Sequence, residues 1–220
     1  MRTIGTVVVT AIIISMFWLV YFGVSRSPTA VPQGAGLTIQ SDRKDGGGRA
    51  AVADAPRRTA PQIGADKVVV GPAGLAIPVP AINAGQLTDT FTAARGGGLR
   101  THDAIDIMAP DGTPIIATAP GTIEKLFYSN GGGGLTIYQR SDDGGWTFYY
   151  AHLSAYVVGL HDGQRVKRGE VIGFVGHSGD ASPDGPHLHF AINRMAPGDK
   201  WYQGAAVNPY PLLAGPPVTR

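Results

Sequence analysis

Gly121-Thr122-Ile123-Glu124-Lys125-Leu126-Phe127-Tyr128, Leu135-Thr136-Ile137-Tyr138-Gln139-Arg140 and Trp146-Thr147-Phe148-Tyr149-Tyr150-Ala151-His152 are three consecutive apolar runs that decide the fold. Each is rich in β-branched and aromatic residues, too short for a globular helix and suited to a pleated surface. The breaks between them, Gly131 to Gly134 and Asp142-Asp143-Gly144-Gly145, are turn formers, so the runs read as antiparallel strands joined by hairpins. The pattern continues outward in both directions. Upstream lies Pro114-Ile115-Ile116-Ala117-Thr118-Ala119, and downstream a turn-and-strand unit, Gly163-Gln164-Arg165-Val166-Lys167-Arg168-Gly169-Glu170-Val171-Ile172-Gly173. No repeat of solenoid length is present. The chain therefore predicts one mostly β domain over residues 79–213.

With 220 residues there is room for that domain plus appendages, and the 32 Gly and 17 Pro favour turns and linkers over long helices. The formal net charge is +2, yet residues 79–213 hold 9 Lys and Arg against 12 Asp and Glu. A domain with that balance has no electrostatic footprint for nucleic acid. Cysteine is absent, which removes disulfides, thiolate zinc fingers and thiol nucleophiles. Any metal site must be built from His and carboxylates.

Residues 3–25 carry no charge. As a helix they would span roughly 35 Å, enough to cross a hydrocarbon core of ~30 Å. Trp18, Tyr21 and Phe22 gather at the far end, as in an interfacial aromatic belt. The reading is an uncleaved signal-anchor over residues 1–26. It would hold the rest in the periplasm or cell-wall space as a single-pass protein of the inner membrane. Cleavage of the segment would instead give a secreted form. Residues 27–78 read as a flexible Gly/Pro-rich linker and lead-in, a tether to about Asp66 followed by lead-in strands or edge segments at Val68-Val69-Val70 and Ile77-Pro78-Val79-Pro80, where the ordered part begins. Residues 214–220 are a tail.

The chemistry lies in the histidines. Gly185-Pro186-His187-Leu188-His189-Phe190 places two imidazoles at i and i+2, on one face of a strand. Such a pair can bind a metal together, or one can bind while the other handles protons. His102 and Asp106 stand four apart, and an extended segment would put both on one face. With His189 they make two imidazoles and a carboxylate, which leave a fourth tetrahedral position open, as catalytic zinc requires. His152 and His187 could line the same groove. Taken singly, these signals are weak: a lone His-x-x-x-Asp is common, and His152 in its aromatic strand reads as a core histidine. His161 and His177 read as turn residues, Asp103 as a solvated carboxylate and Asp111 as a turn former. Tyr149, Tyr150, Trp201 and Tyr202 could wall a groove, but most of them read as core.

The order of the motifs adds to this. Arg100-Thr101-His102-Asp103-Ala104-Ile105-Asp106-Ile107, Gly112-Thr113-Pro114-Ile115-Ile116-Ala117, Tyr150-Ala151-His152-Leu153-Ser154, Gly173-Phe174-Val175-Gly176 and the stretch from Gly185 to Phe190 follow one another in a sequence that resembles the M23 (lysostaphin-type, LytM-domain) zinc endopeptidases. The resemblance runs over residues 89–193. It implies a small antiparallel β-sheet, barrel-sandwich-like, with a groove over the metal. It implies one Zn2+ held by His102, Asp106 and His189, with His152 and His187 as the catalytic histidines outside the ligand set. It implies hydrolysis of peptide bonds in bacterial peptidoglycan, in cross-links or stem peptides, with zinc polarising the carbonyl and activating water. The chain departs from the family pattern at Ala191, where many relatives have Glu, and in the loop over residues 176–184. Two other readings compete. A non-catalytic LytM-type module that activates or scaffolds another wall hydrolase would have lost some of these five groups. A lipoyl-like carrier would leave the histidines unexplained.

Overall fold

The structure, a computed structural model, describes residues 48–215. The three runs form a meander: β6 (Gly121–Ser129), β7 (Gly134–Ser141) and β8 (Trp146–Val157), antiparallel with one register shift in each pair and turning at the two expected breaks. On the far side of β8 lies β11 (His187–Arg194), which is flanked in turn by β4 (Ile105–Met108) along its first half and by β12 (Ala205–Val207) along its second. Beyond β6 the sheet adds β9 (Arg165–Val166). A second layer of pairing runs from β8 to β10 (Val171–Val175) and on to β5 (Pro114–Ile116), all antiparallel. The domain is thus mostly β and antiparallel, as its sequence predicts. A short hairpin, β2 (Ala94–Arg95) with β3 (Arg100–Thr101), stands before β4. The chain closes on α2 (Pro209–Ala214), whose N-cap Asn208 accepts from the Tyr210 amide with Pro209 in the first turn.

Alternation along β11 sorts its residues cleanly. Leu188 and Phe190 are fully buried in the main core with Ile105, Ile137, Tyr150 and Leu153. His187, His189, Ala191 and Asn193 point to the other face, where a smaller cluster of Ala104, Tyr138, Tyr149, Ala151 and Ala191 forms a floor. The polar atoms buried with Tyr150 are matched. Its hydroxyl donates to Gln139 Oε1 at 2.7 Å and accepts from the Thr118 amide at 3.0 Å, while Gln139 Nε2 donates to the Ala119 carbonyl at 2.6 Å. This network ties β7, β8 and the link after β5 together inside the core.

Two expectations change. The tether does not extend over residues 48–66. Here a helical turn, α1 (Gly48–Ala53), leads to β1 (Arg57–Arg58), which pairs in parallel with Tyr156 and Val157 of β8. Ala55 is buried and Val52 and Ile63 pack on the core, so sparse apolar residues sufficed once a sheet edge offered partners. Ile77 and Val79, expected in lead-in strands or edge segments, are core residues too. The expected anchor over residues 1–26 and the tether up to residue 47 lie outside the described residues, as do residues 216–220. Among the described residues no helix is long and apolar enough to cross a membrane.

Candidate metal centre and catalytic groove

His102 is not on a continuous strand with Asp106. It follows β3, and Asp103 then takes a left-handed conformation, φ 56°, before β4 begins. The His102 amide donates to the Ala93 carbonyl and that of Asp103 to the Phe91 carbonyl, which pin the bend. The spacing of four therefore meets through a turn, not through strand alternation. Asp106 sits directly opposite His189 in the β4–β11 pair. His102 Nε2 lies 3.0 Å from Asp106 Oδ1 and 3.0 Å from His189 Nδ1, and His189 Nδ1 lies 3.4 Å from the same carboxylate oxygen.

Three observations fit a metal ion at this point. The three ligand atoms converge within 4.8 Å of one another. Asp106 Oδ1 is buried without a hydrogen-bond donor, a costly state for a carboxylate oxygen unless a cation is shared there. Outer contacts also orient the ligands. His102 Nδ1 donates to the Thr90 carbonyl at 3.0 Å, which leaves Nε2 with its lone pair toward the cluster. Arg95 Nη2 takes the second Asp106 oxygen at 2.5 Å, leaving Oδ1 for the metal. The donor set of two imidazoles and one carboxylate suits zinc. Burial alone would raise the Asp106 carboxyl, but the adjoining His102 and His189 imidazoles outweigh it and hold the group below the usual carboxylate range. Burial pushes the His189 imidazole down, toward the neutral form that a ligand must have.

His152 reaches this face by a β-bulge. The β7–β8 register shifts between Leu135 and Ile137, so that Tyr150 and Leu153 both face the core with Ala151 and His152 between them. His152 itself has φ 62°, its amide donates to the Gly133 carbonyl, and Nδ1 donates to the Ser178 carbonyl at 2.8 Å. Such strain in a non-glycine residue is held in place by its surroundings. Gly179 supplies them: with φ 79°, it packs so closely that a Cβ would lie 2.0 Å from the Gly132 carbonyl oxygen. His187 Nδ1 donates to the Gly185 carbonyl at 2.8 Å. Both rings thus present a bare Nε2. That of His187 is 3.7 Å from Asp106 Oδ1, and that of His152 is 3.9 Å from Asp180 Oδ1. The two rings lie 5.0 Å apart and His152 is 5.6 Å from His189. All five sequence-derived residues therefore border one groove, a space of about 510 Å³. Arg95, Asp180 and Asn193 border it too and were missed in the sequence. Nothing in their local pattern marks them. His161 and His177 stay at exposed turns, His177 paired with Asp111 at 3.1 Å. Tyr150 is core, whereas Tyr149 borders the groove and Trp201 packs on Tyr138 and Phe127.

Burial, reinforced by the neighbouring His189, lowers the His152 imidazole to about 4. A folded value below the unfolded value of about 6.5 means that the unfolded chain takes the proton more readily, so stability is lost as pH falls from 6.5 toward 4. Stripped of metal by chelator, the protein should be about 2–3 kcal/mol less stable at pH 4.5 than at pH 7 from this group, read by urea unfolding. His152→Asn, which tolerates the left-handed backbone, should remove most of that slope. An unchanged slope would count against the burial assigned to His152.

The sequence profile described as Peptidase family M23 matches residues 100–209. An uncharacterized metalloprotease of Haemophilus influenzae is 39% identical over 113 residues, covering 51% of this chain and 21% of that protein. L-Ala--D-Glu endopeptidase of Bacillus subtilis is 35% identical over 144 residues, covering 63% and 42% respectively. Among solved structures, the catalytic domain of the antimicrobial peptidase lysostaphin from Staphylococcus simulans gives a TM-score of 0.46 at 32% identity, covering 55% of this chain and 83% of that one. The match thus spans less than half the length of each of these two curated relatives.

Proposed function

This chain belongs to peptidase family M23, and from that premise we propose that it is a zinc endopeptidase that hydrolyses peptide bonds of bacterial peptidoglycan. The observation that carries the proposal is the groove in which His102, Asp106 and His189 converge beside two further imidazoles that they do not use. Bound at the three ligand atoms, zinc would polarise the scissile carbonyl and make water a nucleophile near neutral pH. The protein supplies the rest. His152 and His187 each have Nδ1 committed to a backbone carbonyl, so each can take a proton only at Nε2, the atom facing the groove. One imidazole receives the proton of the attacking water. The other, once protonated, donates toward the developing oxyanion or the departing amine. Wall peptides enter the proposal from the relatives, one of which is named an L-Ala--D-Glu endopeptidase. All five groups are in place, which speaks against a purely scaffolding module.

The test is release of new amino-termini from defined peptidoglycan by the purified protein, alongside His187→Ala. The wild type should hold about one zinc per chain and cleave. The variant should keep its zinc and lose at least about 100-fold in rate, the usual worth of a general acid or base. Equal release by the two proteins would end this reading.

A further inference from the structure

Beyond the metal centre, the groove-facing side of β11 continues through Ala191 to Asn193, four residues or about 13 Å along the strand from His189. Asn193 is 2% exposed and borders the groove, and its Nδ2 has no hydrogen-bond partner. Directly opposite it on β8 is Thr147, fully buried, whose Oγ1 is also unpartnered. On its other side Asn193 faces Ala206 of β12, and Ala191 lies between it and His189. Neither alanine carries more than a methyl group, so the floor stays open up to the carboxamide. Buried polar groups without partners are rare, and each costs the full desolvation of the atom. Asn193, which borders the end of a groove that leads from a catalytic centre with the unpartnered Thr147 behind it, marks a place where a ligand completes the bonding.

We propose that Asn193 forms a substrate subsite for a neutral amide, the carboxamide or peptide group of a residue bound about four positions from the scissile bond. An amide offers both an N–H and a carbonyl, and so pairs with an asparagine carboxamide in either of its orientations. A carboxylate offers acceptors only. It would also bring a charge to a rung whose cation, Arg140, is already held by Glu124 through two bonds of 2.6 and 2.9 Å. Burying an anion there without a counter-ion is unfavourable. This inference rests on the peptidase reading only for naming the ligand a substrate.

The experiment follows the Asn193 side-chain amide resonances of the 15N-labelled, metal-free full-length chain during titration with N-acetyl-trialanine amide and with the corresponding free acid. Asn193→Asp identifies the resonances by their absence. The amide should shift them and bind about tenfold tighter than the acid, and Asn193→Asp should abolish that difference. Ala191→Leu, which fills the approach, should weaken the amide by a similar factor while the chain stays folded. Equal binding of the two peptides, or binding that leaves Asn193 unmoved, would overturn the subsite even if peptidoglycan is cleaved. Preferential amide binding by a protein that cleaves nothing would support the subsite and reject the peptidase reading instead.

Discussion

His189→Ala is expected to remove metal and activity together. His189 Nδ1 lies 3.0 Å from His102 Nε2 and 3.4 Å from Asp106 Oδ1, at the meeting point of the three ligand atoms. Without it the site has two protein ligands, one fewer than catalytic zinc sites keep. Zinc measured by mass spectrometry after dialysis should fall from about one per chain to a trace. Hydrolysis should fall by about a thousandfold or more, because polarisation of the carbonyl and activation of water disappear at once. The contrast with His187→Ala is diagnostic. His187 Nε2 stands off at 3.7 Å from Asp106 with its other nitrogen engaged by Gly185, so its loss leaves the ligand set whole. A His189→Ala protein that still held its zinc would refute the ligand assignment.

Phe190→Ala, one residue further on, should unfold the domain rather than disarm it. Phe190 is fully buried, packs at 5.3 Å between ring centroids against Tyr150, and lies in the strand that joins β4 to β8. Truncating a buried phenylalanine to alanine costs about 3–5 kcal/mol, transfer loss plus the cavity that remains. That is a large share of the ~5–15 kcal/mol that typically holds a domain together. The measurement is the urea midpoint of the zinc-free protein, in which His189→Ala serves as the comparison. The His189 side chain is partly exposed and contributes little apolar burial, so its variant should stay within about 1 kcal/mol of wild type. A small effect of Phe190→Ala would mean that the core under the metal centre is looser than its packing indicates.

Much of this was legible in the chain itself. Alternation in Leu188 and Phe190 against His187 and His189 is a local consequence of the extended backbone, and it put the two imidazoles on one face before any partner strand was known. The glycine and aspartate clusters at residues 131–134 and 142–145 likewise fixed the hairpins, because turn chemistry is local. The docking of residues 48–66 was not legible, since Ala55 and Arg57 carry no signal until the free edge of β8 is there to receive them.

The sequence by itself determined the strands, the absence of thiol chemistry and the stock of imidazoles and carboxylates available for a site. Tertiary structure decided how they aim. By alternation with Tyr150, His152 belongs in the core, and it reaches the groove only because one extra residue is bulged into β8 and held at φ 62°. That conformation survives through the carbonyls of Gly133 and Ser178, contributed by two loops that meet across Gly179. His102 and His189 are 87 positions apart, and their nitrogens come to 3.0 Å only through the pairing of β4 with β11 and the bend at Asp103. Periodicity acts over a few neighbouring residues, whereas bulges, bends and strand partners are chosen by packing between segments far apart in the chain.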